Sequence, residues 1–546
     1  MYTYGILSTV LLSAGTLVAI VYLVKFIYSY WFNCLSNIPG PSPPSWWLGH
    51  LGILYRSPAG VIERQWYEKF GHTWRVKGIC GKNILMTADP KIIQFVWQTS
   101  GYTFERVPIN VQLAKLLTGP SILWAQHEDH KRHRSVMLPA FGTKESRALT
   151  PVFRTAAIKL CGVWKDRLAM AKSGCLVLNM PAEIARATLD AIGHAAFDYD
   201  FGAIEDKDNE LANIFQNLFM TIRGLPSKRK IFAESFFTNY FPASLVQYMK
   251  YIPSKGIKHM NKSLEVSTKV AQDLVARKNE RLIMGKEGRD VMSLLVKSNA
   301  SEIEQTKLSD EEVYAQMNAM MVAGNETTST TLTWTLWELA RHPEIQAKLR
   351  AEIVQFSREA QEKGLSEIPV EDYEKMVYTT AVMKETIRFH TPIMMSTRVA
   401  TRDAIIPLSK PIQTTDGQTI TQIPVTKGTS VFASYAQYNR LPEIWGPDSY
   451  SYNPDRWLGM VEPSIKLGPY NNLGIFGAGI HACIGWRFAI IEYQTFLIQF
   501  INDFTFEMTE ASSKVRRTRA SVMLPLVEGE EDQGCQLPLL VKRNRN

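Results

Sequence analysis

The stretch Phe476-Gly-Ala-Gly-Ile-His-Ala-Cys-Ile-Gly-Trp-Arg-Phe-Ala-Ile-Ile-Glu492 sets one cysteine in a glycine-rich loop directly ahead of an apolar run with helical spacing. Backbone amides at a helix start favour an anion, so the loop is expected to lower the Cys483 thiol pKa and ready a thiolate for a soft metal. Gly477, Gly479 and Gly485 let the backbone approach something flat and bulky. Taken alone, the string also fits an inert buried cysteine beside a turn.

Upstream lies the longest helical pattern of the chain, residues 310–341. It is opened by Ser309-Asp-Glu-Glu312, a capping box, and stopped by His342-Pro343. Its middle is apolar or small on most faces, as in a helix buried all round. Gly324 costs about 1 kcal/mol there against alanine, and Asn325, Glu326, Thr327 and Thr328 interrupt the same apolar stretch. Something must offset them. Further on, Glu385-Thr-Ile-Arg388 places opposite charges at i and i+3, which on a solvated helix stabilises by only about 0.2 to 0.5 kcal/mol. His130-Lys-Arg-His-Arg134 reads as a basic helix face.

Short β-prone runs around residues 73–79 and 82–87, and a patch broken by prolines over 405–431, accompany this helical body. No Gly/Ser-rich linker or internal repeat divides residues 46–546, so one large domain is expected. With 45% hydrophobic and 21% charged residues the chain is no disordered protein. Its net charge of +9 is spread rather than blocked into tracts, which suits an acidic membrane surface or an acidic partner protein and gives no sign of nucleic acid. The six cysteines form no CxxC pair and no zinc-spaced cluster, so a disulfide scaffold is not expected. The sequons at Asn261, Asn299 and Asn325 read as chance triplets, Asn325 falling inside the long helix.

Residues 6–24 carry no charge, and Lys25 is the only charged side chain between positions 2 and 38. At about 1.5 Å per residue such a run nearly spans a hydrocarbon core of about 30 Å. Residues 1–38 are therefore expected to be a single-pass N-terminal transmembrane anchor, with Tyr28, Tyr30 and Trp31 at the interface. Residues 39–45, rich in proline, read as a stiff spacer.

Taken together these motifs resemble the cytochrome P-450 superfamily, and microsomal fungal members within it. The loop matches the family's haem signature at Phe476, Gly479, His481, Cys483, Gly485, Ala489 and Glu492. The resemblance implies a mainly α fold with small antiparallel β-sheets, and haem b with the Cys483 thiolate as axial ligand of its iron. It also implies that His481, His130, Arg134 and Arg398 reach the haem propionates, His130 standing where tryptophan is usual, with Phe476 packing in the same loop. Ala323-Gly-Asn-Glu-Thr-Thr328 is similar to the family's oxygen-activating segment. There Gly324 would leave room for dioxygen, and Glu326 with Thr327 would form the acid and alcohol pair that relays protons. Glu385 and Arg388, with Arg456, resemble the family's Glu-x-x-Arg network, which is structural.

The implied activity is a monooxygenase that hydroxylates or epoxidises a lipophilic small molecule with O2, drawing electrons from NADPH-cytochrome P-450 reductase. The implied setting is fungal specialised, terpenoid-like metabolism at the endoplasmic reticulum membrane, with membrane lipids around the anchor and the catalytic domain in the cytosol. Two alternatives stand beside this reading: a haem-thiolate isomerase or dehydratase that needs no reductase, and a non-catalytic membrane haem or lipid binder.

Overall fold

The computed structural model describes residues 34–544, apart from 206–208, 216, 242–244, 246, 285–287, 289, 300–306 and 460–464. The elements that position the site are, in chain order, β1 (Thr73–Lys77), β2 (Asn83–Thr87), β3 (Phe104–Arg106), α1 (His127–Met137), α2 (Met180–Phe197), α3 (Asp310–Arg341), α4 (Val377–Phe389), β4 (Met395–Ala400), β5 (Ser430–Ser434) and α5 (Trp486–Asp503).

Helix α3 forms where its caps place it. Ser309 accepts from the Glu312 amide at 3.2 Å while Glu312 accepts from the Ser309 amide at 2.9 Å, completing the capping box. Three acidic residues in its first turn face the positive end of the helix dipole. Its buried hydroxyls are satisfied internally: Thr331, Thr333 and Thr335 each donate to the carbonyl four residues earlier, at 2.8 Å. A threonine-rich helix can thus sit in an apolar core without orphaned hydroxyls. Trp334 donates to the Met523 carbonyl at 2.9 Å and fixes the C-terminal half.

Helix α2 packs closely along α3. A Cβ on Gly324 would lie 2.9 Å from Ile192 Cδ1, so the glycine permits helix–helix approach. That differs from the expectation that Gly324 makes room for dioxygen: the phase of α3 points the missing side chain at α2. One residue on, Thr188 donates to Asn325 Oδ1 at 2.7 Å across the same contact.

The main sheet has the order β1-β2-β5-β4-β3. Its ladders are antiparallel except β2 with β5, which run parallel over Ile84↔Ser430 to Thr87↔Ala433. A parallel pairing needs a long crossover, and here most of the helical body supplies it. The remaining sheets are antiparallel, among them the hairpin Ala404–Gln413 with Thr419–Val425.

Among the described residues no helix is long and apolar enough to cross a membrane. The expected anchor span, residues 6–24, lies outside them. Residues 34–38, assigned to the end of that anchor, pack on the body: Leu35 and Ile38 are buried in the main core, and Asn37 donates to Asp416 at 2.8 Å. The proline-rich stretch is likewise tied down. The Arg75 amide of β1 donates to the Pro39 carbonyl at 2.8 Å, and a Cβ on Gly40 would fall 1.9 Å from the Arg75 carbonyl oxygen.

Candidate functional site

The cysteine loop is shaped by its own backbone. The Cys483 amide donates to the Phe476 carbonyl at 2.6 Å, closing the turn before α5 begins. Gly477 and Gly479 adopt φ of 66° and 61°, conformations that L side chains resist. A Cβ on Gly479 would stand 2.6 Å from the Gln98 carbonyl oxygen, so this glycine lets the loop press against the segment preceding β3.

The Cys483 side chain reaches solvent-accessible space, yet the protein around it pushes its thiol pKa up, with the Gly485 amide and Arg134 pulling it down. The two facts describe a thiol at the floor of an internal recess. The sequence expectation of a lowered thiol pKa is reversed, because desolvation outweighs the helix start. A bound cation would invert that balance, since coordination deprotonates a thiol.

Above the loop, cations gather without protein counter-ions. In the β3/β4 ladder Arg106 lies directly opposite Arg398. Like charges so placed repel, and no carboxylate among the described residues neutralises them. Arg106 donates to the Leu123 carbonyl, Arg398 to the Thr397 carbonyl at 3.0 Å, and Arg134 to the Ala482 carbonyl at 2.8 Å. Among the described residues no carboxylate binds any of the three, and Glu105 beside them is engaged by His127. Burial lowers all three guanidinium pKa values, that of Arg106 to about 10.

The His130 and His481 rings meet at 4.2 Å between centroids, their planes tilted by 52°, in the same nest. Both His481 nitrogens are buried without a partner. Burial, then the neighbouring cations, push His481 down to about 2 and His130 down to about 4. Three guanidiniums, two neutral imidazoles and no carboxylate form a donor set made for a compact anion with two carboxylates. A thiol and this nest flank one recess, which suits a flat ligand carrying a metal at its centre and acids at its edge.

Helix α3 carries an open patch of its own. Within its buried middle Ala323 is exposed and Gly324 and Thr327 are half-buried, breaking an otherwise closed surface. Thr327 donates to the Ala323 carbonyl at 2.7 Å. Glu326 turns elsewhere: its carboxylate accepts from the amides of Leu218 and Phe219, and burial raises it to about 8. The acid and the alcohol therefore do not bond to one another in this structure. Glu492 of α5 is fully buried beside Thr328, neither oxygen making a hydrogen bond of ordinary geometry, and burial raises it to about 8 as well.

Behind the loop, Glu385 and Arg388 of α4 are fully buried. Arg388 donates to both carboxylate oxygens of Glu385, at 2.8 and 2.7 Å. Arg456 at 3.1 Å, Trp457 at 3.0 Å and the Asn453 amide at 2.8 Å also converge on that carboxylate. The remaining Arg388 donors reach the carbonyls of Asn439, Ser449 and Ser451.

The protein-family model described as Cytochrome P-450 matches residues 39–529. The chain belongs to the cytochrome P-450 family. It is 32% identical over 529 residues to cytochrome P-450 monooxygenase 205 of Postia placenta, covering 93% of each chain. It is 31% identical over 522 residues to cytochrome P-450 monooxygenase claW of Ampulloclitocybe clavipes, again 93% of each. Cytochrome P-450 monooxygenase 81 of Postia placenta matches at 30% over 543 residues, 97% of this chain and 96% of that one. The protein is accordingly a cytochrome P-450 monooxygenase, an oxidoreductase whose cofactor is haem b carried on a cysteine thiolate.

Arg106 of the nest, and Tyr102, whose hydroxyl lies 3.1 Å from His130 Nδ1, were not singled out from the sequence. Only the β3/β4 register shows that Arg106 faces Arg398, and no local spacing encodes that pairing. Of the three Lys and Arg side chains in the stretch read as a basic helix face, Arg132 is held by Glu312 at 2.6 and 2.8 Å and Arg134 turns inward to the Ala482 carbonyl. Lys131 alone of them is exposed, and it pairs with Glu128.

Proposed function

We propose that Cys483 supplies the axial thiolate and that Arg106, Arg134, Arg398, His130 and His481 hold the haem propionates, with Phe476 closing the loop beneath. The observation that carries this is a thiol at the floor of a recess flanked by a cationic nest without a carboxylate. Bound there, a thiolate-ligated haem supplies dioxygen activation, the thiolate pushing electron density to favour O–O cleavage. The rest is done by side chains. Glu326, neutral near pH 7, carries a proton, and Thr327 presents a hydroxyl at the open patch of α3. Delivery from one to the other requires the Glu326 carboxyl to leave the amides of Leu218 and Phe219.

The substrate is a lipophilic small molecule. The spans expected above the haem, residues 107–124, 317–322, 393–397 and 523–525, are dominated by Leu, Ile, Val and Met. Its hydroxylation or epoxidation takes electrons from NADPH-cytochrome P-450 reductase, because no flavin-binding segment is visible in this chain. The uncharged run at residues 6–24 supports a single-pass anchor in the endoplasmic reticulum membrane with the body in the cytosol. A place in specialised, terpenoid-like metabolism follows the sequence's resemblance to microsomal fungal members of the family.

Reduced protein under carbon monoxide should show the red-shifted Soret band of a thiolate-ligated haem, and Cys483→Ser should lose both band and activity. Retention of both by that variant would refute the assignment. Feeding terpenoid scaffolds to cells that coexpress the chain with a reductase would identify the oxidised product.

A further inference from the structure

His130 stands where the family usually carries tryptophan, whose indole N–H can only donate. A neutral imidazole has one N–H and one lone pair, and the nitrogen that bears the proton is set by the bond made at the other. The hydroxyl of Tyr102 lies 3.1 Å from His130 Nδ1. His130 Nε2 makes no hydrogen bond to any described residue. We infer that Tyr102 fixes the tautomer of His130, donating into Nδ1 so that the proton sits on Nε2 and faces the arginine nest as the indole N–H of a tryptophan would. This rests on the haem-thiolate reading above.

Three observations support the direction of that bond. Burial raises the Tyr102 pKa, so its hydroxyl keeps its proton. Burial, Arg106 and Arg134 hold His130 neutral at physiological pH, so the ring cannot donate from both nitrogens. The opposite tautomer would turn a bare Nε2 lone pair toward whatever anion Arg106, Arg134 and Arg398 select, a repulsive arrangement. Tyr102 is also rigidly placed. It lies in the single turn Gly101–Thr103 that leads into β3, its carbonyl accepts from Thr401 Oγ1 at 3.3 Å, and its ring meets His481 edge-on at 5.6 Å. Lys131 Nζ stands 5.7 Å over the same ring, and His133, one turn along α1, is engaged by Glu312 and Gln316. Neither competes for Nδ1 of His130.

Tyr102 is a positioning residue on this account, and its effect should exist only while residue 130 has a tautomer to fix. The test measures haem transfer from holoprotein to excess apomyoglobin for the wild type, Tyr102→Phe, His130→Trp and the double variant. Phenylalanine keeps the ring packing. In the wild-type background Tyr102→Phe should speed haem release about tenfold, the scale of one hydrogen bond to a charged group. In the His130→Trp background it should change nothing. His130→Gln, whose amide N–H is fixed, provides a second background with the same expectation. Equal acceleration in all backgrounds would make Tyr102 a packing residue, and no acceleration in the wild type would equally overturn the inference. A wild-type protein without the thiolate-type carbon monoxide band would instead remove the haem-thiolate reading, an outcome read before any transfer is measured.

Discussion

Thr327 separates cofactor binding from proton delivery. Thr327 is half-buried, and among the described residues its hydroxyl bonds only to the Ala323 carbonyl of its own helix. Thr327→Ala should therefore keep the haem spectrum and the substrate-induced spin shift. Consumption of NADPH should continue while electrons divert to hydrogen peroxide, with product falling on the scale of about 10² to 10⁴-fold that a positioned acid–base group contributes. Unchanged coupling of NADPH to product would make Thr327 a packing residue. Titration offers a second residue-level check. Glu326 and Glu492 rise by burial from 4.5 to about 8. A carboxyl whose folded pKa exceeds its unfolded value binds its proton more tightly when folded. Its stabilisation is thus complete below the unfolded value and is lost as pH climbs through the folded one. The melting temperature should fall from about pH 5 to pH 9, and Glu492→Gln should flatten the slope; an identical slope would show that Glu492 is not raised. Cys483 was legible in the sequence because its loop is a local string of fixed spacing. Arg106 and Tyr102 were not, because strand register places them. A helix start beside the thiol is visible in a sequence, whereas the depth of its desolvation is not.

The capping box and proline stop delimited α3 from sequence alone, because caps are local chemistry. The direction in which Gly324 points was not legible, since it depends on the neighbour that α3 packs against. Gly324→Ala gains about 1 kcal/mol of helix propensity but drives a methyl to 2.9 Å from Ile192 Cδ1. Overpacking of that kind costs about 1 to 3 kcal/mol, so the variant should melt lower. Adding Ile192→Val removes Cδ1 but leaves Cγ1 at 3.0 Å, so it should recover part of the loss; no recovery at all would show that the α2/α3 contact is not what the glycine serves. The Glu385 network is an element-level device of another kind, tying α4 to the segment that carries Arg456. Replacing Arg388 with alanine leaves Glu385 buried without two of its five donors, a cost of about 3 to 5 kcal/mol. Arg388→Ala and Arg456→Ala should therefore yield little haem-loaded protein. Normal holoprotein that lacked only turnover would place these arginines in the chemistry instead.

At the scale of the whole molecule, the boundary between anchor and body decides how the chain can be cut. The sequence reading carries the anchor to residue 38, because hydropathy cannot tell a side chain in lipid from one in a protein core. The structure separates them. Leu35 and Ile38 lie in the main core, Asn37 binds Asp416, and Arg75 donates to the Ser36 carbonyl at 2.5 Å, so residues 34–38 belong to the body. They clasp the hairpin Ala404–Gln413 with Thr419–Val425, which follows directly on β4, the strand of Arg398. Two truncations that differ by five residues should then behave differently. Removal of residues 1–33 should weaken membrane association and leave the carbon monoxide spectrum and melting temperature intact. Removal of residues 1–38 exposes the core faces that Leu35 and Ile38 cover. Losing two buried aliphatic side chains of this size costs about 3 to 6 kcal/mol, so this truncation should melt several degrees lower and lose haem-loaded yield. Equal melting of the two would show that residues 34–38 only rest on the surface, and loss of haem from the shorter cut would carry the body's boundary back into the apolar run itself.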